Sequence, residues 1–221
     1  MSGDSDTLDI DVWSDVACPW CYVGKRRLEA ALERFDAADV TLTWHSFELD
    51  PNAPAAYRGD AASNLAAKYG TSEEQALEML DRMTELGADE GLDLKGRSTR
   101  PGNTFDAHRI IRLALEHGLQ GEMKERLMRA YFSEGELVSD HDVLRRLAVE
   151  VGLPEDQVLE LLAGDAFSDE VRTDEYTASR LGIDGVPFFI FDRRYAVKGA
   201  QSSAHLLEAL RRAHAEPPPA P

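Results

Sequence analysis

The spacing of apolar and polar positions changes period several times along the chain. In LDIDVW, residues 8–13, Leu8, Ile10 and Val12 alternate with polar positions, which predicts a half-buried strand. From Tyr22 to Phe35 the period lengthens, and Val23, Leu28, Ala31, Leu32 and Phe35 fall at helical spacings. Alternation returns in VTLTWHSF, residues 40–47, and predicts a second strand. These three segments make a βαβ unit.

A proline-broken connection, ELDPNAPAAYRGD at 48–60, follows, and from there to Gly164 the pattern is almost entirely helical. Thr71 and Glu74 have the spacing of a capping box for a helix reaching about Leu86. Asn103 is placed to cap a helix over 105–117, with Gly118 to end it. Further helices fit 122–132, 140–151 and 154–162, punctuated by Gly152 and Pro154. Residues 168–181 then read as a helix stopped by Gly182. GVPFFIF (185–191) and RYAVKG (194–199) read as a hairpin across Asp192-Arg193. Residues 203–214 form a closing amphipathic helix with Leu206, Leu207 and Leu210 on its inner face. The predicted architecture is α/β: a βαβ–αββα sheet layer from residues 7–59 and 165–215, interrupted by an all-helical insertion, 60–164, with a disordered tail from 216 to 221.

Composition narrows the function classes. The formal net charge is −17, from 41 acidic and 24 basic residues, which argues against nucleic acid or an anionic membrane as a partner. Only five of the basic residues are lysines, a balance that points to a surface adapted to high salt. No apolar run reaches membrane-spanning length, and the acidic start MSGDSDTLDID lacks the apolar stretch of a secretory signal, so a cytoplasmic protein is expected.

The chemistry concentrates in DVACPWCYVGKRR, residues 15–27, which holds both cysteines of the chain. Cys18 falls at the strand-to-helix junction, and Pro19 at the first helical position, where its missing N–H costs nothing. Free N–H groups and the positive helix end then favour thiolate over thiol at Cys18, the expected nucleophile. Cys21 lies three residues on, on the same helical face, where it can resolve a mixed disulfide formed at Cys18. Trp20 offers an apolar face to substrate, while Lys25 and Arg26 read as ordinary exposed helix residues. Zinc is the competing reading, but it usually takes four ligands; there is no third cysteine, and the six histidines form no closely spaced pair. A CxxC beside a βαβ pattern is the form expected of a thioredoxin-like redox site, so no metal is assigned.

Strand, CPWC, helix, strand, helical insertion, GVPFFIF and final helix together resemble the thioredoxin fold of the DsbA-type thiol oxidoreductases. NTFDAHRIIRLA, residues 103–114, resembles more specifically their cytosolic FrnE-like branch. The resemblance covers residues 7–214. It implies a cis-proline loop at Val186-Pro187 opposite the CxxC, where an extended substrate pairs. It also implies that Asn103, His108 and Arg109 lie near the cleft, and, with Pro19 and Trp20, these make up the candidate substrate-binding set. The implied activity is dithiol–disulfide exchange with protein thiols or small thiols, glutathione among them, by a monomer or homodimer whose redox group is the cysteine pair itself rather than a cofactor. Its direction as oxidase, reductase or isomerase stays open. Two alternatives stand beside it. The kappa-class glutathione transferases and 2-hydroxychromene-2-carboxylate isomerases share the fold, but carry a serine where this chain has Cys18. A redox-gated holdase would use the helical block to bind unfolded chains.

Overall fold

The structure is a computed structural model that describes residues 7–216; of the tail expected over 216–221, residues 217–221 lie outside them, while Glu216 accepts hydrogen bonds from Tyr195 and Arg212. β1 (Thr7–Ser14), α1 (Pro19–Leu32) and β2 (Asp39–Ser46) form the first βαβ unit. Seven helices follow: α2 (Ala61–Tyr69), α3 (Glu73–Asp89), α4 (Phe105–Glu116), α5 (Gln120–Phe132), α6 (His141–Val151), α7 (Glu155–Ala163) and α8 (Ser168–Arg180). β3 (Phe188–Phe191), β4 (Tyr195–Lys198) and α9 (Ser203–Ala215) close the chain.

Among the described residues one sheet runs in the order β2-β1-β3-β4. β1 pairs parallel to β2, with Leu8 opposite Val40 and Val12 opposite Trp44. It pairs antiparallel to β3, with Val12 opposite Phe189. The β3–β4 turn places Asp192 and Arg193 at φ 51° and 56°, the left-handed pair that a tight hairpin needs. Leu8, Ile10 and Val12 point to the face covered by α1 and α9, where they meet Leu28, Ala31, Leu206 and Leu210. Trp13 points the other way, toward Ala178 of α8 and Ile183. Beyond Ser14 the chain enters a second core, in which Val16, Cys18, Cys21 and Val23 pack with residues of α4 to α7, including Ile110, Leu127 and Leu147. The junction of sheet and helical block therefore falls on the cysteine motif.

Local signals fixed most helix ends to within a few residues. α3 is capped one residue later than the spacing suggests: Ser72 accepts from the backbone of Gln75, whose side chain returns to Ser72, so Ser72 and Gln75 form the box in place of Thr71 and Glu74. α1 begins at Pro19, the first helical position expected of it, and the Cys18 carbonyl accepts from the Cys21 and Tyr22 N–H groups.

A charged histidine ties β2 to β1 and α8. His45 Nε2 is 2.7 Å from Asp11 Oδ1 and Nδ1 is 2.9 Å from Asp174 Oδ1, with its ring stacked on Trp13 at 4.4 Å. Burial alone would lower its pKa, but the two carboxylates outweigh burial and raise it to about 9. A folded-state value above the unfolded one stabilises fully below about 6.5, and that contribution disappears as pH rises through about 9. Wild type should therefore exceed a His45→Gln variant in urea stability by on the order of 2–3 kcal/mol near pH 6. The gap should close by pH 10. A gap independent of pH would contradict the charged assignment.

Candidate active site

Cys18 is the N-cap of α1, in extended conformation at φ −96° and ψ 111°, with Pro19 opening the helix. Both cysteines are buried and unbonded to each other. Burial, first, and a hydrogen bond with Cys18, second, push the Cys21 thiol well above the usual cysteine range. The Asp15 backbone and the Lys124 ammonium act in the opposite sense. Burial thus favours the thiol form of Cys21. Trp20, between them, is 44% exposed and presents its ring at the surface.

The Val186–Pro187 peptide is cis, and the Cys18 Sγ lies 3.7 Å from the Val186 carbonyl oxygen. Pro187 sits against α1 at Gly24, where an added Cβ would come within 2.8 Å of Pro187 Cγ and 3.3 Å of Phe189 Cζ. A side chain at 24 would push the proline loop away from the helix that carries the cysteines, so this glycine sets the approach of the two. Its only trace in the sequence is a glycine inside a helical pattern.

Asp15, one turn before Cys18, is buried beneath the motif. Oδ1 is 3.3 Å from His108 Nε2, and Oδ2 accepts from the Leu49 N–H at 2.8 Å. Burial would raise its pKa, yet His108 and the Leu49 N–H hold the carboxyl below the usual carboxylate range. His108 therefore reaches the cysteine motif through Asp15.

Asn103 and Arg109 are placed differently. Asn103 Oδ1 accepts from the Phe105 N–H at 2.8 Å, although the N-cap position itself is Thr104. Its amide nitrogen reaches Glu48 Oε1 at 3.3 Å and the Ala53 carbonyl at 3.4 Å, tying the start of α4 to the connection after β2. Glu48 also accepts from Arg172 at 2.6 Å; burial, with Glu175 nearby, raises its pKa to about 7 against the pull of Arg172. Arg109 donates to the carbonyls of Leu161, Gly164 and Ala166 and to Asp106, so it binds the α7–α8 linker to α4. Lys25, expected on the exposed face, is buried and ion-paired to Glu29 and Glu125. The reason lies outside α1: Glu125 of α5 accepts from Tyr22, Lys25 and Arg26, which draws that side of the helix against α5.

Among the described residues no group of three or more His, Cys, Asp or Glu side chains is arranged to hold a metal ion. None of the helices there is long and apolar enough to cross a membrane.

Comparison with known proteins is consistent with this geometry. The family model of the DSBA-like thioredoxin domain matches residues 9–211. A solved structure of a probable DsbA oxidoreductase, SCO1869 from Streptomyces coelicolor, is 41% identical with a TM-score of 0.91, over 97% of this chain and 93% of that one. The cytosolic disulfide reductase DsbM from Pseudomonas aeruginosa, solved with GSH, is 18% identical with a TM-score of 0.60, over 94% and 96%. A 2-hydroxychromene-2-carboxylate isomerase is 13% identical with a TM-score of 0.68, over 92% and 95%. The last two share the fold.

Proposed function

Since the chain belongs to the DsbA-like thioredoxin family, we propose that Cys18 and Cys21 are the redox pair of a protein dithiol–disulfide oxidoreductase. The observation that carries this reading is the placement of the two sulfurs: Cys18, the N-cap of α1, lies 3.7 Å from the Val186 carbonyl of the cis Val186–Pro187 peptide, and Cys21 is buried one turn further along the same helix. In the reducing direction, the Cys18 sulfur attacks one sulfur of a partner disulfide and releases the other as a thiolate. Cys21 then attacks the Cys18 side of the mixed disulfide. A Cys18–Cys21 bond forms, the second partner sulfur leaves, and two electrons have passed to the partner. The oxidising direction is the same path reversed.

In this reading Val186 and Pro187 present backbone to an extended partner chain, and Trp20 supplies an apolar contact beside the sulfur. Asn103 and His108 act indirectly, by holding the connection after β2 and the Asp15 carboxylate. We place the activity in the cytoplasm, with protein thiols or glutathione as partners. DsbM, described as cytosolic and solved with GSH, is a relative in fold that fits this placement.

The test is trapping. A Cys21→Ser variant should retain its partners on Cys18 as stable mixed disulfides that dithiothreitol releases, and mass spectrometry should identify protein chains among them. Glutathione alone, together with isomerase turnover that survives Cys21→Ala, would favour the isomerase-like reading instead. Aggregation suppression that persists without either cysteine would favour a holdase.

A further inference from the structure

Arg27 of α1 has no part in the exchange steps above, yet its guanidinium is engaged on two sides. Nη1 donates to the Ala200 carbonyl at 2.6 Å, and Nε donates to Glu90 Oε1 at 2.6 Å. Ala200 lies just beyond β4, and its neighbour Gly199 donates its N–H to the Pro187 carbonyl at 2.8 Å. Glu90 is the residue that ends α3. Arg27 therefore fastens the corner made by Pro187 and residues 199–200 to the helix that carries the cysteines, and fastens both to the helical block. The ion pair is only partly open to water, with the two side chains 22% and 23% exposed. Cys21, Gly24 and Arg27 follow one another at intervals of three, a stripe on α1 in which each position neighbours the next. The corner rests on this stripe: a Cβ at Gly24 would come within 2.8 Å of Pro187 Cγ. Glycine weakens a helix interior relative to alanine, so α1 gives up helical stability here for the close approach. Val186 and Ala200 both pack against the cluster that holds Cys18 and Cys21, and the Val186 carbonyl stands 3.7 Å from the Cys18 sulfur.

We propose that Arg27 is a positioning residue for partner binding: by holding the Ala200 carbonyl it fixes the Val186–Pro187 segment over Cys18, the segment that presents backbone to an extended partner chain. The proposal rests on the dithiol reading. Arg27 acts through the place of this segment and not through charge at either sulfur. A protein disulfide needs the segment as well as the sulfur, whereas a small aromatic disulfide needs the sulfur alone.

The test compares insulin, reduced with dithiothreitol as recycling thiol, with 5,5′-dithiobis(2-nitrobenzoate). Arg27→Met fills the volume without a donor. It should raise KM for insulin by about tenfold, the scale of one lost hydrogen bond from a charged donor, with kcat little changed. The rate with the small disulfide should fall far less, and the pH midpoint of that reaction should stay where it is. Hydrogen exchange at the Gly199 amide should quicken, because its acceptor Pro187 is no longer held in place. Arg27→Lys, which can still donate to Ala200, should recover part of both effects. Gly24→Ala leaves Arg27 intact and displaces the same corner from the α1 side, so it should raise KM for insulin in the same way, and it decides the matter if Arg27→Met does not fold. An unchanged KM in these variants, or a KM that rises without faster exchange at Gly199, would overturn the proposal. So would a shifted pH midpoint in Arg27→Met, which would mean that the arginine acts on the sulfur's charge. A wild type that reduces no insulin would instead defeat the dithiol reading, and the proposal with it, whatever the exchange at Gly199.

Discussion

Replacing Cys18 with serine is expected to reduce thiol–disulfide turnover to the uncatalysed background, the largest loss any single substitution should cause. The serine hydroxyl is nearly isosteric but stays protonated at neutral pH, and it forms no disulfide. Cys18 packs with Val16, Cys21 and Val23 in the helical core, and the serine replaces it with little change in volume, so the fold should survive. Circular dichroism should therefore match wild type while reduction of a protein disulfide by the variant, with dithiothreitol or glutathione as recycling thiol, stops. Cys21→Ser should differ in kind. The first attack should proceed and turnover should then stall, because the mixed disulfide has no internal thiol to resolve it. Equal and complete retention of activity in both variants would place the chemistry elsewhere.

Arg109→Met is expected to produce the largest loss of stability outside the hydrophobic core. The guanidinium donates to three carbonyls, at 2.6 Å to Leu161, 2.8 Å to Gly164 and 2.8 Å to Ala166, and to Asp106 at 2.7 Å. These bonds hold the segment that turns from α7 into α8, where Phe167 adopts φ 63°. Methionine fills the volume but leaves those acceptors unpaired, each at about 1–3 kcal/mol when buried. A total near 3 kcal/mol lowers the melting temperature by roughly 6–12 °C in a chain of this size. The exchange rate of the molecules that remain folded should change little. A fall in kcat/KM with an unchanged melting temperature would instead return Arg109 to the substrate-binding role its place in NTFDAHR suggests.

These expectations show which parts of the molecule were readable in advance. Strand alternation at Leu8, Ile10 and Val12 identified the inner face of β1, because period-two spacing is set by local backbone geometry. The cysteine motif was readable for the same reason: strand end, proline and helix start all lie within a few residues. Asp15 and Lys124 were not, since their partners are 93 and 110 residues distant and only the packed helical block brings them together. Lys124 reads in sequence as one more charged position on a helix, and Lys25 was misplaced to the exposed face because Glu125, which draws it inward, lies on α5. Gly24 is not legible as a site residue, because its neighbour in space is Pro187, on a loop at the other end of the chain. Arg109 shows the converse: a motif suggested a cleft residue, while its hydrogen bonds run to a linker that the sequence does not show beside it.

The central claim is that positions 18 and 21 exchange two electrons as one unit, and a redox titration tests it most directly. The protein should be equilibrated in glutathione buffers of graded potential, quenched with acid, alkylated and analysed by mass. A single reversible transition between a dithiol and an internal Cys18–Cys21 disulfide, following a two-electron dependence, is the predicted result. Stable glutathione adducts at Cys18 with Cys21 still reduced across the whole range would contradict it.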